Sequence, residues 1–207
     1  MKNIFLSSLS RTPFKYVFST LCICLAAGYS LQAQSVYTLS ASKENVVKVL
    51  GSSNVHDWNM VAQNPICEAE FGAITGDNIP KSLSSLSFSV NAKSLKSEHE
   101  SMDGRTYKTI KADEYPKITF KLTGATITST QKSKFTIKAS GNLSIAGVTK
   151  PIVMQVNGEV KADNTITCTG EEKIKLTDYN IQPPSFMLGA MKVANDLSIK
   201  FNLNFKK

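Results

Sequence analysis

The stretch GNLSIAGVTKPIVMQVNGEV, residues 141–160, contains two runs in which apolar and polar side chains alternate on either side of the link GVTKP. Its alternating apolar positions are Leu143, Ile145, Ile152, Met154 and Val156. Two such runs joined by a short link with Gly and Pro are typical of an antiparallel β-hairpin with one buried face. That face can meet the protein's own core, a lipid bilayer or an apolar ligand, and each alternative implies a different function.

Alternation of the same kind recurs through most of the chain after Ser35. Many antiparallel strands with one apolar face predict a β-sandwich or a closed barrel, and closure is favoured because it removes exposed strand edges. We therefore predict an all-β protein, an antiparallel barrel of about eight strands. Alternation assigns to its inward face Phe71, Phe88, Phe120, Phe135, Ile137, Leu143, Ile145, Met154, Val156 and Phe201.

Two segments break the strand pattern. In residues 93–116, Asp103 is a candidate cap for a short helix that carries Tyr107 and Ile110 on one side and ends before the proline at position 116. We expect this helical insertion to cover an opening of the barrel. Residues 177–191, TDYNIQPPSFMLGAM, are too apolar for an idle loop; they pack either on a plain barrel end or at a ligand mouth.

The first 33 residues have the layout of a secretory signal peptide. Basic residues precede the apolar run YVFSTLCICLAAGY, and Ala33 offers a small residue before a cleavage site. The run is shorter than the about 20 residues that span a bilayer. We predict a signal peptide over residues 1–33, one domain over residues 34–207, and a periplasmic or secreted protein; a retained N-terminal anchor is the alternative.

Charge and composition limit the partners of this domain. The full chain has 24 Lys and Arg against 16 Asp and Glu; three of the basic residues lie in the predicted signal peptide, which leaves a net charge of +5. Arg105 is the one arginine after residue 33, and no basic run is interleaved with aromatic residues, which disfavours nucleic acid as a partner. Peripheral contact with an anionic membrane and a homodimer both stay open.

Residues that could carry catalysis are few. The two histidines, His56 and His99, lie in separate segments, and His56 and Asp57 would point to opposite faces of a strand, so they do not readily share a metal. The sequence has no zinc-ligand spacing, nucleophile elbow or glycine-rich phosphate loop. We expect no catalytic, metal or cofactor site; the opposing hypothesis is an enzyme or redox participant using His56, Asp57 or the cysteines.

Cys67 and Cys168 are the two cysteines after residue 33, and both fall among residues that alternation assigns to the inside. In an exported chain such a pair indicates one disulfide bond. Two buried thiols fit the same pattern, because sequence does not give the distance between the two side chains.

Two segments resemble the YceI-like family of exported lipid-binding proteins. In TYKTIKADEYPKITFKL, residues 106–122, an acidic residue and Tyr115–Pro116 lead into Ile118, Thr119 and Phe120. The second segment is the hairpin, from Gly141 to Pro151. The resemblance implies a lipocalin-like barrel that is exported, holds a long polyisoprenoid chain in an elongated apolar interior, and has no catalytic residues.

The three alternatives for the apolar face can now be compared. A small membrane barrel would turn its polar face inward, and here that face carries lysine after lysine, which disfavours the bilayer. Alternation alone does not decide between a filled core, as in an interaction module with a packed barrel, and an interior that holds a ligand. The resemblance favours a ligand. Trp58, the only tryptophan, is either a ligand contact near a barrel end or a core plug.

We therefore predict an exported carrier or sequestering protein for a polyisoprenoid or other lipid chain. In this hypothesis the chain is contacted by Trp58, by Tyr107 from the helical insertion, and by the inward-facing residues that alternation identifies.

Overall fold

In the computed structural model, which describes residues 35–207, the alternating segments form antiparallel strands. Their bounds are β1 Ser35–Leu39, β2 Val46–Ser52, β3 Asp57–Ala62, β4 Ile66–Phe71, β5 Leu83–Asn91, β6 Leu95–Lys96, β7 Lys117–Gln131, β8 Lys134–Ile145, β9 Val148–Val160, β10 Ile166–Lys175, β11 Ser185–Phe186, β12 Met191–Lys192 and β13 Asp196–Lys206. Helix α1 spans Glu100–Thr109. No helix within residues 35–207 has the length and apolar character needed to cross a bilayer. The predicted signal peptide lies outside the described residues.

The wall is a closed antiparallel barrel of eight strands. β1 and β2 both pair with β13, through Leu39–Phe205 and Val46–Asn202, so they form one wall strand interrupted by a bend. β3 with β4, and β5 with β6, continue each other in the same way along their neighbours. Every wall strand pairs with the next in chain order, and β13 returns to β1. The predicted fold is confirmed.

The hairpin of residues 141–160 joins β8 to β9 through a tighter turn than its sequence suggested. Ile145 pairs with Val148, so only Ala146 and Gly147 form the turn, and both have positive φ, 50° and 79°. Positive φ at both central residues is the requirement of a type I′ hairpin turn. The predicted five-residue link GVTKP was therefore too long, and Pro151 lies within β9.

Helix α1 begins before Asp103, which corrects the predicted cap: His99 is the N-cap, without a side-chain hydrogen bond. Asp103 is instead 4% exposed, accepts hydrogen bonds from the Ser97 backbone N–H at 2.7 Å and the Ser97 hydroxyl at 2.8 Å, and lies 3.3 Å from Lys96 Nζ. Burial raises the pKa of this carboxyl, but the bonds from Ser97 and Lys96 outweigh it and hold the pKa below its usual value. The ionised carboxylate ties α1 to the end of β6.

The two ends of the barrel differ. At one end, the mouth end, lie residues 53–56, α1, and a mouth segment of residues 176–195 between β10 and β13. At the other, closed end, aromatic rings pack edge to face: Tyr37 on Phe71 at 5.4 Å and Phe71 on Phe205 at 6.0 Å between ring centroids. Such packing stabilises the barrel and seals this end.

The two cysteines lie inside the barrel but are not joined. Cys67 on β4 and Cys168 on β10 are both buried free thiols. β1 and β13 separate their strands in the ring, but both side chains point inward, and Cys168 is near enough to contribute to raising the pKa of Cys67. The structure has both as free thiols; the disulfide and the alternative of two buried thiols both stay predictions, which a thiol titration separates. Burial, as the largest cause, raises the pKa of each thiol to about 12.

A thiol titration of the chain from Gln34 onward tests this arrangement. With a pKa of about 12 and exposures of 2% and 5%, Cys67 and Cys168 should stay protonated and unreactive toward a thiol reagent at pH 8 while the protein is folded. After unfolding in guanidinium without reductant, both should react. An unfolded, unreduced protein with no free thiol would show that the bridge forms.

Candidate functional site

An elongated apolar cavity of about 390 Å³ runs through the barrel. Its lining extends from Phe71 and Phe205 at the closed end to Phe186 and Met191 at the mouth end. The lining residues of β10 and the turn after it run from residue 168 to residue 176, which is about 26 Å of strand at about 3.3 Å per residue. A volume within the roughly 300–1,000 Å³ range of ligand sites, drawn out along the strands, suits a chain better than a compact molecule.

Aromatic rings lie along the wall of the barrel where inward glycines face them. The pairs are Gly51 with Trp58, Gly141 with Phe120, Gly158 with Phe135 and Gly170 with Phe201. A Cβ at Gly170 would stand 2.5 Å from Phe201 Cζ, so the ring occupies space that any other residue would fill. The interior of an eight-stranded barrel is just wide enough for side chains to fill. Rings laid against the wall therefore leave the centre open.

Alternation located most of the cavity lining. Of the residues predicted to contact a ligand, the structure brings together around the cavity Trp58, Phe71, Phe88, Phe120, Ile137, Leu143, Ile145, Met154, Val156 and Phe201. Trp58 lines the cavity near the mouth end, where β3 begins.

Two predicted contacts lie elsewhere. Phe135 is 1% exposed and packs over Gly158 away from the cavity lining. The Tyr107 hydroxyl donates to the carbonyl oxygens of Lys93 and Leu95, each at 2.8 Å. Tyr107 therefore packs against the core and anchors α1 to the barrel at β6 instead of lining the cavity.

The mouth end is formed by α1 and the mouth segment. Met102 and Ile110 of α1 line the cavity, as do Ile181, Phe186 and Met191. Residues 177–191 were expected to pack on the barrel, and Ile181, Phe186 and Met191 do so. The expectation is wrong for the tip of this segment, whose side chains at positions 187 and 188 are 74% and 109% exposed.

Trp58, Tyr179 and Glu172 place polar atoms in the lining toward the mouth end, besides the hydroxyl side chains Ser53, Ser101, Thr106 and Thr109. Within residues 35–207, Trp58 Nε1 and the Tyr179 hydroxyl are buried without a hydrogen-bond partner, which costs roughly 1–3 kcal/mol for each such group. Glu172 also lines the cavity, and burial raises the pKa of its carboxyl. Burial first, then the charges of Asp178 and Glu172, raise the pKa of Tyr179 to about 12.

Sequence reasoning missed Glu172 and Tyr179. The signal for Glu172 was present, since Cys168, Gly170 and Ile174 alternate with outward residues and place Glu172 on their inward face. Tyr179 belongs to the 3-10 turn Leu176–Tyr179, where strand alternation no longer tells which way a side chain points.

Other titratable groups lie at the rim. His56, His99 and Arg105 reach the cavity from exposed positions, and the Arg105 guanidinium lies 4.8 Å from the centroid of the Phe186 ring. Among the described residues no group of three His, Cys, Asp or Glu side chains converges. The arrangement can withdraw an apolar chain from water and offer a few polar contacts at one end.

Filling the cavity from its wall tests whether the cavity is a binding site. In Gly170→Val the new side chain displaces the Phe201 ring into the centre of the barrel, since Phe201 Cζ occupies the position next to the wall. We expect at least tenfold weaker binding of a fluorescent isoprenoid probe, with the far-UV circular dichroism of a barrel retained. Unchanged affinity would show that the ligand does not pass Phe201.

The sequence and the fold were compared with known proteins. Residues 37–205 match the family described as YceI-like domain, and no curated protein matches the sequence. The fold is similar to that of BcnA from Burkholderia cenocepacia, with a TM-score of 0.62, 16% identity, and coverage of 77% of this chain and 95% of that one.

Two further solved structures have the same fold. A polyisoprenoid binding domain from Saccharophagus degradans, implicated in plant cell wall breakdown, gives a TM-score of 0.62 at 12% identity, covering 84% of this chain and 98% of that one. The Campylobacter jejuni YceI protein gives 0.55 at 18% identity, covering 87% and 92%. The family match spans nearly the whole barrel, and the chain belongs to the YceI-like family.

Proposed function

We propose that this protein holds a long apolar chain, of the polyisoprenoid or a related lipid class, inside its barrel and acts as a carrier or sequestering protein. The observation that carries the proposal is the continuous apolar cavity from the closed end to the mouth end. Affinity comes from apolar area removed from water, about 25 cal/mol per Å² before the cost of ordering the chain. The polyisoprenoid binding domain among the structures of the same fold supports this ligand class.

A binding role accounts for this cavity better than catalysis does. A polyisoprenoid offers methyl groups, methylenes and alkenes along its length, and the middle of the cavity offers apolar side chains such as Phe88, Ile137 and Val156. The charged groups that reach the cavity are few and stand toward one end. A packed barrel without a ligand is disfavoured because the glycine–aromatic pairs keep space open that larger wall residues would fill.

Export is part of the proposal. The signal-like features of residues 1–33 imply that the barrel works in the periplasm or outside the cell. A soluble barrel there would let a water-insoluble chain cross an aqueous space.

Loading and release also call for contact with a membrane surface, and the mouth segment has the features for it. Met187 and Leu188 form an exposed apolar tip, and the cation of Lys192 lies on the adjoining strand β12. Because the same segment lines the cavity through Phe186 and Met191, a tip inserted among lipids would bring the mouth end to the membrane.

Processing is tested by intact mass. Protein exported by its native host should begin at Gln34. A mass that retains residues 1–33 would favour the anchored alternative.

Ligand binding is tested by a pair of adjacent substitutions. Met154 lines the cavity, whereas Val153 is 56% exposed on the outer face. Met154→Glu places a charge against the apolar chain, which is costly without a partner, and should abolish lipid that co-purifies with the protein. Val153→Glu should leave it in place. Solvent extraction and mass spectrometry measure both; if wild-type extracts hold no apolar chain and isoprenoid probes fail to bind, the barrel is a packed core.

Membrane contact is tested at the tip. Leu188→Ser should lower association with phosphatidylglycerol-containing vesicles about tenfold, since burying one leucine contributes about 1.5–3 kcal/mol. Val36→Ser removes an apolar side chain that is 54% exposed on β1, at the closed end, and is the matched control. Equal losses in the two variants, or none in Leu188→Ser, would contradict a membrane-facing mouth. Vesicle flotation gives the readout.

A further inference from the structure

The cavity contains polar groups that a pure hydrocarbon would leave without partners. Trp58 Nε1–H and the Tyr179 hydroxyl are buried and unpartnered among the described residues, and both side chains line the same cavity as Glu172. Tyr179 is 2% exposed, so its hydroxyl is withdrawn from bulk solvent. Buried polar groups in proteins are nearly always hydrogen-bonded. Of the three unpartnered side-chain atoms within residues 35–207, two line this cavity and the third, Asn202 Oδ1, does not; the two in the cavity point to a bound group that completes them.

The strand register brings these groups to one level of the barrel. Glu172 pairs with Ile199, and Ile199 pairs with Val49 on β2. Trp58 pairs with Gly51 on the same strand β2, one inward position nearer the mouth. Three strand spacings of about 4.8 Å separate β10 from β3 in the ring, or about 14 Å along the wall.

The indole reduces that separation. Trp58 Cε2, which bears Nε1, lies 2.6 Å from where a Gly51 Cβ would stand, so the ring reaches over β2 toward β13 and β10. Tyr179 follows Glu172 in the turn above β10, close enough for the Glu172 carboxylate to influence its ionisation. All three side chains line the same cavity toward the mouth end, and neither Trp58 Nε1 nor the Tyr179 hydroxyl is bonded to Glu172.

The hydrogen-bonding capacity of these three groups indicates which chemical class of head group fits them. Trp58 Nε1 is a donor only, the tyrosine hydroxyl donates one bond, and an ionised carboxylate only accepts. A hydroxyl group accepts two hydrogen bonds and donates one, which satisfies all three. A phosphate ester is an anion at neutral pH and would be repelled by an ionised Glu172; a hydrocarbon would satisfy none of the three groups.

We propose that Trp58, Tyr179 and Glu172 form a head-group site for an uncharged hydroxyl, so that the ligand is a long-chain isoprenoid alcohol and not its phosphate ester or the bare hydrocarbon. This inference rests on the proposed function, since it assumes that an apolar chain occupies the cavity. The head group lies near the mouth end and the chain extends toward Phe71 and Phe205.

Trp58 also reports on its own site, because it is the only tryptophan of the chain. The purified protein, stripped of co-purified lipid, is titrated with geranylgeraniol, geranylgeranyl methyl ether and geranylgeranyl diphosphate while indole emission is recorded. We expect the alcohol to bind about tenfold more tightly than the other two, since one hydrogen bond lost in such a site corresponds to roughly that factor.

Two variants and a control separate the roles. Tyr179→Phe removes a hydroxyl without a protein partner, so it should leave the ligand-free melting temperature unchanged or higher and weaken the alcohol about tenfold. Glu172→Gln removes the carboxylate charge that repels a diphosphate. The ratio between the affinities for the alcohol and for the diphosphate should therefore become smaller. Glu171→Gln changes the outward neighbour, which bonds to Ser198 and Lys200, and should alter neither affinity.

The outcomes distinguish the two proposals. If none of the three compounds binds, the proposed function itself fails. If all bind alike, or the diphosphate binds most tightly through the rim groups His56, His99 and Arg105, the barrel holds a chain but the hydroxyl site is wrong. An unchanged affinity for the alcohol in Tyr179→Phe would also overturn it.

Discussion

The structure depends on keeping an apolar interior open. Apolar side chains facing one another across a barrel normally close the space between them, because protein interiors pack to about 0.74 of their volume. Here the ring of strand hydrogen bonds fixes the wall, and inward glycines let aromatic rings lie along it, three of which, Trp58, Phe120 and Phe201, line the cavity. Phe201 over Gly170 shows the principle: the glycine contributes the space, and the ring covers the backbone without entering the centre. The cavity is thus a property of paired positions on neighbouring strands.

One end of the barrel contributes stability, and the other end gives access to the cavity. The closed end is sealed by the rings around Phe71, whereas the mouth end consists of segments held by a few specific contacts. One of them joins the two sequence segments on which the family resemblance rests. A Cβ at Gly147 would stand 2.5 Å from Tyr115 Cζ, and Gly147 has φ of 79°. Only glycine meets both demands, so the Tyr-Pro pair before β7 and the turn after β8 form one packed corner.

Strand alternation could predict the wall but not the ends. It gave the barrel and most of the cavity lining, because side chains on a strand alternate regardless of what surrounds them. It did not predict that Phe135, which points inward, lies beyond the cavity. It also did not predict that the Tyr107 hydroxyl donates to backbone carbonyl oxygens instead of facing the cavity. The early start of α1 and the free thiols at Cys67 and Cys168 were equally out of reach, because each depends on spacing between distant segments. Glu172 was readable, but one carboxylate among apolar residues is easily taken for an outward residue.

The asymmetry of the lining gives a bound chain a direction. The closed end is aromatic and aliphatic, whereas Trp58, Tyr179 and Glu172 stand toward the mouth. On the proposed function, a chain with one polar end satisfies these groups only with its tail toward Phe71, since the opposite orientation would bury its polar end without partners. Such a chain must enter tail first and leave head first through the mouth. The apolar tip at Met187 and Leu188 belongs to the segment that borders that mouth, so on the proposed function a tip held among lipids places the exit of the chain at the membrane surface.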